Sequence, residues 1–159
     1  MGLHSAQPIA ELLAEKFEAG EADKVTLFCG YGARDARDEV FALAEKIKSP
    51  IGHSFRGKMY FEYDNPYDVG LTGLLGFSSG YKALKGAETL LILGSSLPYR
   101  QFYPEDATVI QVDIRGEQIG RRIAVDVPLV GGVKETAEAL LLRLRGNASS
   151  AFLEEILKE

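Results

Sequence analysis

Three arginines are the residues best placed to do chemistry in this sequence. Arg34, Arg56 and Arg100 each close a short apolar run that breaks into small residues: "VTLFCGYGAR", "IGHSFR" and "LLILGSSLPYR". A guanidinium is a rigid fork of donors matched to phosphate or carboxylate oxygens. Three of them at three separate strand ends point to an anion. The first segment adds a glycine turn, Gly30-Tyr31-Gly32, between a strand-type run and a helical pattern. Amides from Tyr31 to Arg34 would face outward at such a helix start, where the peptide dipoles favour negative charge. A glycine-closed turn that holds no ligand fits this segment equally well.

The turn fails as a nicotinamide fingerprint. That motif needs a third glycine three residues after the second, and an acid about 20 residues on for the ribose. Asp35 stands in the third place, and "SPIGHS" offers no carboxylate.

The elements around these residues alternate. Val25 to Cys29 is an apolar run of the kind covered on both faces. Ala36, Val40, Leu43, Ala44 and Ile47 then fall on one helical face, as do Ile9, Leu12, Leu13 and Phe17 before the strand. A short strand follows Pro50. Residues 54 to 75 read as a long irregular segment with several turn signals, and a loop of that length is usually functional. Residues 77 to 85 read as a helix with Phe77, Tyr81 and Leu84 inward. "ETLLILG", "ATVIQVD" and "AVDVPLVG" are further strands, followed by a helix with Val133, Ala137, Leu140, Leu141 and Leu144 on one face. The pattern predicts an α/β fold: a three-layer sandwich with a central parallel sheet, Rossmann-like. In such a sheet ligands bind beyond the carboxyl ends of the strands. The expected domain runs over residues 1–145, with 146–159 beginning a linker and helix.

Composition narrows the partners. The net charge of −5, with no dense basic block, argues against nucleic acid. The single cysteine, Cys29, allows no internal disulfide and no paired-cysteine metal site, so no metal site is expected. No apolar stretch is long enough to cross a bilayer. The chain reads as soluble and cytoplasmic. Cys29 reads as a core residue, and His53 as a histidine buried for structure or one that helps hold the neighbouring loop. The aromatics of "MYFEY" could stack on a ring, with most of them expected in packing.

Three later segments carry a resemblance: "EYDNPYDVGLTGLLGFSSGYKAL", "LGSSLPYRQFYP" and "IQVDIRGEQIGRR". Together they resemble the central domain of thiamine-diphosphate-dependent enzymes of the pyruvate oxidase and quinone-dependent pyruvate dehydrogenase type, over about Ile9 to Leu144. Acetolactate synthases share the domain more distantly. The resemblance implies that the domain holds FAD through its ADP part. It implies that Gly30, Tyr31, Gly32, Ala33 and Arg34 meet the diphosphate. Ser54, Phe55 and Arg56 would line the flavin side with Leu75, Gly76, Phe77 and Ser78. Gly94, Ser95, Ser96 and Arg100 would border the ribityl and diphosphate, with Asp113 and Ile114 beside the adenosine. In place of the acid commonly found near the last strand stands Gly132, which would remove an adenine-side contact. No catalytic residue is implied for this chain. By resemblance, thiamine diphosphate and Mg2+ belong to N- and C-terminal domains of the parent enzyme, which would be homo-oligomeric and, where quinone-dependent, peripheral at the inner membrane. The chain is expected to be an excised central domain, inactive alone. The competing expectation is a structural or oligomerisation module with a vacated nucleotide site in a non-redox enzyme. A stand-alone nicotinamide-binding protein is the third, disfavoured by the failed fingerprint.

Overall fold

The structure is a computed structural model that describes residues 11, 15, 24–71, 78–96, 103–144 and 150–158. Six parallel strands form one sheet in the order β3-β2-β1-β4-β5-β6. They are β1 (Val25–Cys29), β2 (Ile51–His53), β3 (Asp68–Leu71), β4 (Thr89–Leu93), β5 (Thr108–Asp113) and β6 (Val127–Val130). The helices are α1 (Arg37–Ile47), α2 (Lys58–Phe61), α3 (Ser78–Lys85), α4 (Val133–Arg143) and α5 (Ala151–Leu157). The three-layer α/β fold is therefore present, with α1 and α4 packed on one face and α3 and α5 on the other.

Strand residues alternate between the two layers, as the period of two requires. Leu27 and Cys29 of β1 join Leu91, Leu93, Ile110 and Val112 against Val40, Leu43 and Ile47 of α1 and Leu140 of α4. Phe28, Leu90, Ile92 and Val109 point the other way, onto Leu84 of α3. Thr26 also faces α3, and its hydroxyl donates to the Ala83 carbonyl at 2.7 Å, so this buried polar atom is satisfied. Phe152 and Ile156 of α5 close the far layer over Val69 and Ala83.

Three expectations change. The helix expected after the glycine turn begins as a 3-10 segment, Tyr31–Ala36, and becomes α-helical only at Arg37. The segment expected to be irregular contains a 3-10 turn (Phe55–Gly57), α2 and the edge strand β3. "DVGL" is too short and glycine-interrupted to show alternation, yet an edge strand needs only one neighbour, and β2 supplies it. Tyr81 is 45% exposed, while Gly80, Ala83 and Leu84 form the inward face of α3. Of the predicted first helix, only Glu11 and Glu15 are described, and both are helical.

Candidate functional site

All six strands run the same way, so the residues that follow them meet at one edge of the sheet. The strand order reverses between β1 and β4, and this is the crevice where open α/β sheets bind ligands. Here backbone fills it. The Gly30 amide donates to the Leu93 carbonyl at 3.0 Å, and the Gly32 amide to the Gly94 carbonyl at 2.9 Å. A Cβ on Gly30 would stand 2.4 Å from the Ser95 Cβ, and one on Gly94 would stand 2.4 Å from the Gly32 carbonyl carbon. Gly94 also has φ +64°, a conformation that only glycine adopts without strain. The glycines thus let two strand ends touch, and two of the turn's amides are already engaged. The Ala33 amide donates to the Gly30 carbonyl, and its side chain belongs to the core.

Beside this closed crevice lies an open one. Tyr31 leans away from the turn, and both Arg34 and Arg56 stack on its ring, at 4.2 and 4.4 Å from the centroid. Tyr60 meets the same ring edge-on at 6.1 Å. Arg34 also donates to the Tyr31 carbonyl. Neither guanidinium has a carboxylate partner among the described residues. Beside them Tyr31, Phe55, Arg56, Lys58, Met59, Tyr60, Glu62 and Tyr63 line a cleft of about 630 Å³. Phe55 and Met59 are 69% and 71% exposed, while Phe61 from the same run is fully buried. Arg37 of α1 secures the outer wall by donating to the carbonyls of Tyr60, Tyr63 and Asp64.

The Ser54 hydroxyl caps the turn into α2 by accepting from the Gly57 amide, and the Ser54 amide donates to the Cys29 carbonyl. Ser95 and Ser96 follow Gly94 at the end of β4, and the Ser96 hydroxyl is buried with no hydrogen-bond partner among the described residues. Asp113 ends β5, with one carboxylate oxygen accepting from the Arg115 amide at 2.9 Å. Ile114 beyond it is 72% exposed. Ser78 is exposed at the start of α3. Leu75, Gly76, Phe77 and Arg100 lie outside the described residues.

Among the predicted residues, then, the structure brings Gly30, Gly32, Gly94 and Ser95 into contact, and Tyr31, Arg34 and Arg56 into a stack. Asp113 and Ile114 stand two strands away along the same edge. Sequence reasoning missed Met59 as cleft lining and expected most aromatics of "MYFEY" in packing, while allowing that they could stack on a ring; Tyr60 and Tyr63 line the cleft. It also missed Gln111, whose burial in β5 lets its amide donate to the Ser95 and Gln118 carbonyls and accept from the Gly120 amide. A glutamine inside an apolar strand was the available sign. Near the end of β6, Gly132 starts α4, and the Glu135 carboxylate folds back into the space a side chain at 132 would take. A carboxylate therefore occupies that position although residue 132 does not supply it.

A model of the family described as thiamine pyrophosphate enzyme, central domain, matches residues 9–140. A protein of Pseudomonas amyloderamosa, described as an uncharacterized 42.6 kDa protein in the isoamylase 3' region, is 53% identical over 86% of this chain and 35% of its own length. The probable acetolactate synthase large subunit of Methanocaldococcus jannaschii is 28% identical over 78% of this chain and 22% of its own. The sulfoacetaldehyde acetyltransferase of Roseovarius nubinhibens is 31% identical over 71% of this chain and 20% of its own. The chain spans about a third or less of the length of these relatives.

Proposed function

The chain belongs to the thiamine pyrophosphate enzyme central-domain family, and from this we propose that it holds the ADP part of FAD in an enzyme of the pyruvate oxidase or quinone-dependent pyruvate dehydrogenase type. The observation that carries the reading is the pair of guanidiniums on Tyr31, Arg34 and Arg56, which lack a carboxylate partner among the described residues. Like charges from two neighbouring strand ends gathered on one ring favour an anion beside them. Ser96 fits the same ligand, because a buried hydroxyl without a partner among the described residues costs free energy that a phosphate or sugar oxygen would recover. Asp113 can accept from ribose hydroxyls through its oxygen not engaged by Arg115. The Glu135 carboxylate beside Gly132 offers the adenine side an acid.

In this role the chain's residues bind and orient, and FAD supplies the electron acceptor. Thiamine diphosphate, Mg2+ and the 2-keto acid would be handled by other domains of the whole enzyme, which we take to be a cytoplasmic homo-oligomer. Among the described residues no helix is long and apolar enough to cross a membrane.

A second reading is a module of the same fold without nucleotide, in a non-redox enzyme. It is favoured by the engaged amides of Gly30 and Gly32 and by a relative named as an acetyltransferase. Titrating the chain with FAD, followed by flavin fluorescence, separates the two. The first reading expects a Kd on the order of tens of micromolar, competition by ADP, and weak or no competition by FMN, which lacks the ADP part. Failure of both FAD and ADP to bind at millimolar concentration would establish the second.

A further inference from the structure

His53 is fully buried at the end of β2, yet among the described residues the polar atoms within reach of its ring nitrogens are acceptors. Nδ1 lies 3.2 Å from the Ser54 carbonyl oxygen, so a hydrogen bond there requires the proton on Nδ1. Nε2 then looks at two carboxylates, 3.4 Å from Asp68 Oδ1 and 3.6 Å from Glu62 Oε2. In the neutral ring Nε2 presents a lone pair to both, and it has no hydrogen-bond partner among the described residues. A second proton turns the same atom into a charged donor within ion-pair distance of both carboxylates, and a charge-assisted bond is roughly twice as strong as a neutral one.

These carboxylates come from different segments. Glu62 directly follows α2, which carries the Met59 and Tyr60 wall of the cleft, and Asp68 opens β3. The surrounding charges are few. Lys58 Nζ stands 3.8 Å from Glu62, and Asp68 Oδ1 also accepts from the Gly70 amide. From β1 the register neighbour is Cys29, whose thiol burial keeps neutral by pushing its pKa strongly up. Arg37 grips the outer side of the wall and keeps its charge at every relevant pH.

We propose that His53 is a proton-operated latch for the cleft wall: protonated, it ties β2 to Glu62 and Asp68, and neutral, it releases them. The sign follows from the partners. Acid adds the donor and tightens residues 57–63 and 68–70; rising pH removes it and leaves two carboxylates facing a lone pair. Arg37 limits the release to a loosening, not an unfolding. The latch is a property of His53 and its two carboxylates and does not depend on the cleft taking a nucleotide.

The chain has only two histidines, so His4→Gln leaves His53 as the sole imidazole to observe. In that variant, long-range proton–nitrogen NMR between pH 5 and 8.5 reads the ring's state. Amide exchange, expressed as protection factors, reads the wall. Protection of residues 57–63 should fall about tenfold as the ring loses its second proton, the worth of one charge-assisted hydrogen bond, and the neutral ring should carry its proton on Nδ1. His53→Gln should abolish the pH dependence. Glu62 is exposed enough to be changed without disturbing the core, so Glu62→Gln should fold and should shrink the change in protection. A neutral ring protonated on Nε2 would overturn the latch, as would protection that does not follow the ring's titration or is unaltered by Glu62→Gln.

Discussion

The crevice between β1 and β4 and the cleft around Tyr31 share one edge of one sheet but are built in opposite ways. The crevice is made of backbone: Gly30, Gly32 and Gly94 pack so closely that no Cβ fits, and their hydrogen bonds join the two strand ends. The cleft is made of side chains, with exposed aromatic faces, the Lys58–Glu62 pair, and at its Tyr31 end two arginines that lack carboxylate partners among the described residues. The contrast teaches that glycines at a nucleotide-type turn can be required for packing first. In the proposed reading the capacity to bind then lies with the residue between them, Tyr31, and with the arginines that stack on it.

The largest effect expected from this contrast is on stability. Gly94→Ala combines a left-handed backbone with a 2.4 Å approach to the Gly32 carbonyl carbon. Conformational strain and overpacking together should cost about 3 kcal/mol, read as a lower urea midpoint with an unchanged slope. A loss under about 0.5 kcal/mol would mean that the strand ends are not in contact, and the distinction between the two regions would collapse.

Next comes binding. Arg56 is exposed and touches the protein chiefly through the Tyr31 ring, so Arg56→Ala should leave stability within about 0.5 kcal/mol. FAD and ADP affinity should fall about tenfold or more, the worth of a charge-assisted contact to phosphate. Unchanged affinity would move the ligand away from the cleft. A smaller change is expected at the far end of the edge. Asp113→Asn keeps one acceptor for the Arg115 amide and should weaken FAD binding roughly threefold to tenfold through a neutral contact to ribose. FMN binding should be unaffected. An equal loss for FMN would contradict the assignment of Asp113 to the adenosine side.

How far these regions could be read from the sequence depends on how local their causes are. Val25 to Cys29, Thr89 to Leu93 and Thr108 to Asp113 are apolar because both faces are covered, and that pattern is visible in one chain segment. Arg34 and Arg56 at their strand ends were legible for the same reason, while Arg100 lies outside the described residues. Strand β3 was not, since "DVGL" becomes a strand only because β2 lies beside it. Nor was the job of Gly94, because its neighbour Gly32 is 62 positions away in sequence. In "MYFEY" the composition was plain, but helix α2 decides that Phe61 turns inward while Met59 and Tyr63 stay at the surface. The same run could have been wholly core on a strand with two covered faces. Gln111 shows the converse: its polarity was visible, while its three partners belong to turns that the sequence places nearby but does not orient.

The smallest expected effect tests where the packed region begins. Cys29 lies at the end of β1, fully buried, immediately before the crevice, and burial pushes its thiol strongly up. The native state therefore keeps a proton that the unfolded chain releases above about pH 8.5. Where the native state binds more protons, stability falls as pH rises. The contribution is complete below the unfolded value and is lost progressively above it, by about 1 kcal/mol near pH 9. Tyr67 is raised in the same direction, through desolvation first and Glu45 second, but it acts only nearer pH 10. Cys29→Ala lowers stability at every pH by leaving a small void, so the informative quantity is the slope between pH 7.5 and 9. It should flatten in the variant. A slope equal to that of the unmodified chain would mean that the thiol ionises in the folded state and that water reaches the end of β1. The closed crevice would then be open at its base, and the two regions would differ in lining but not in access.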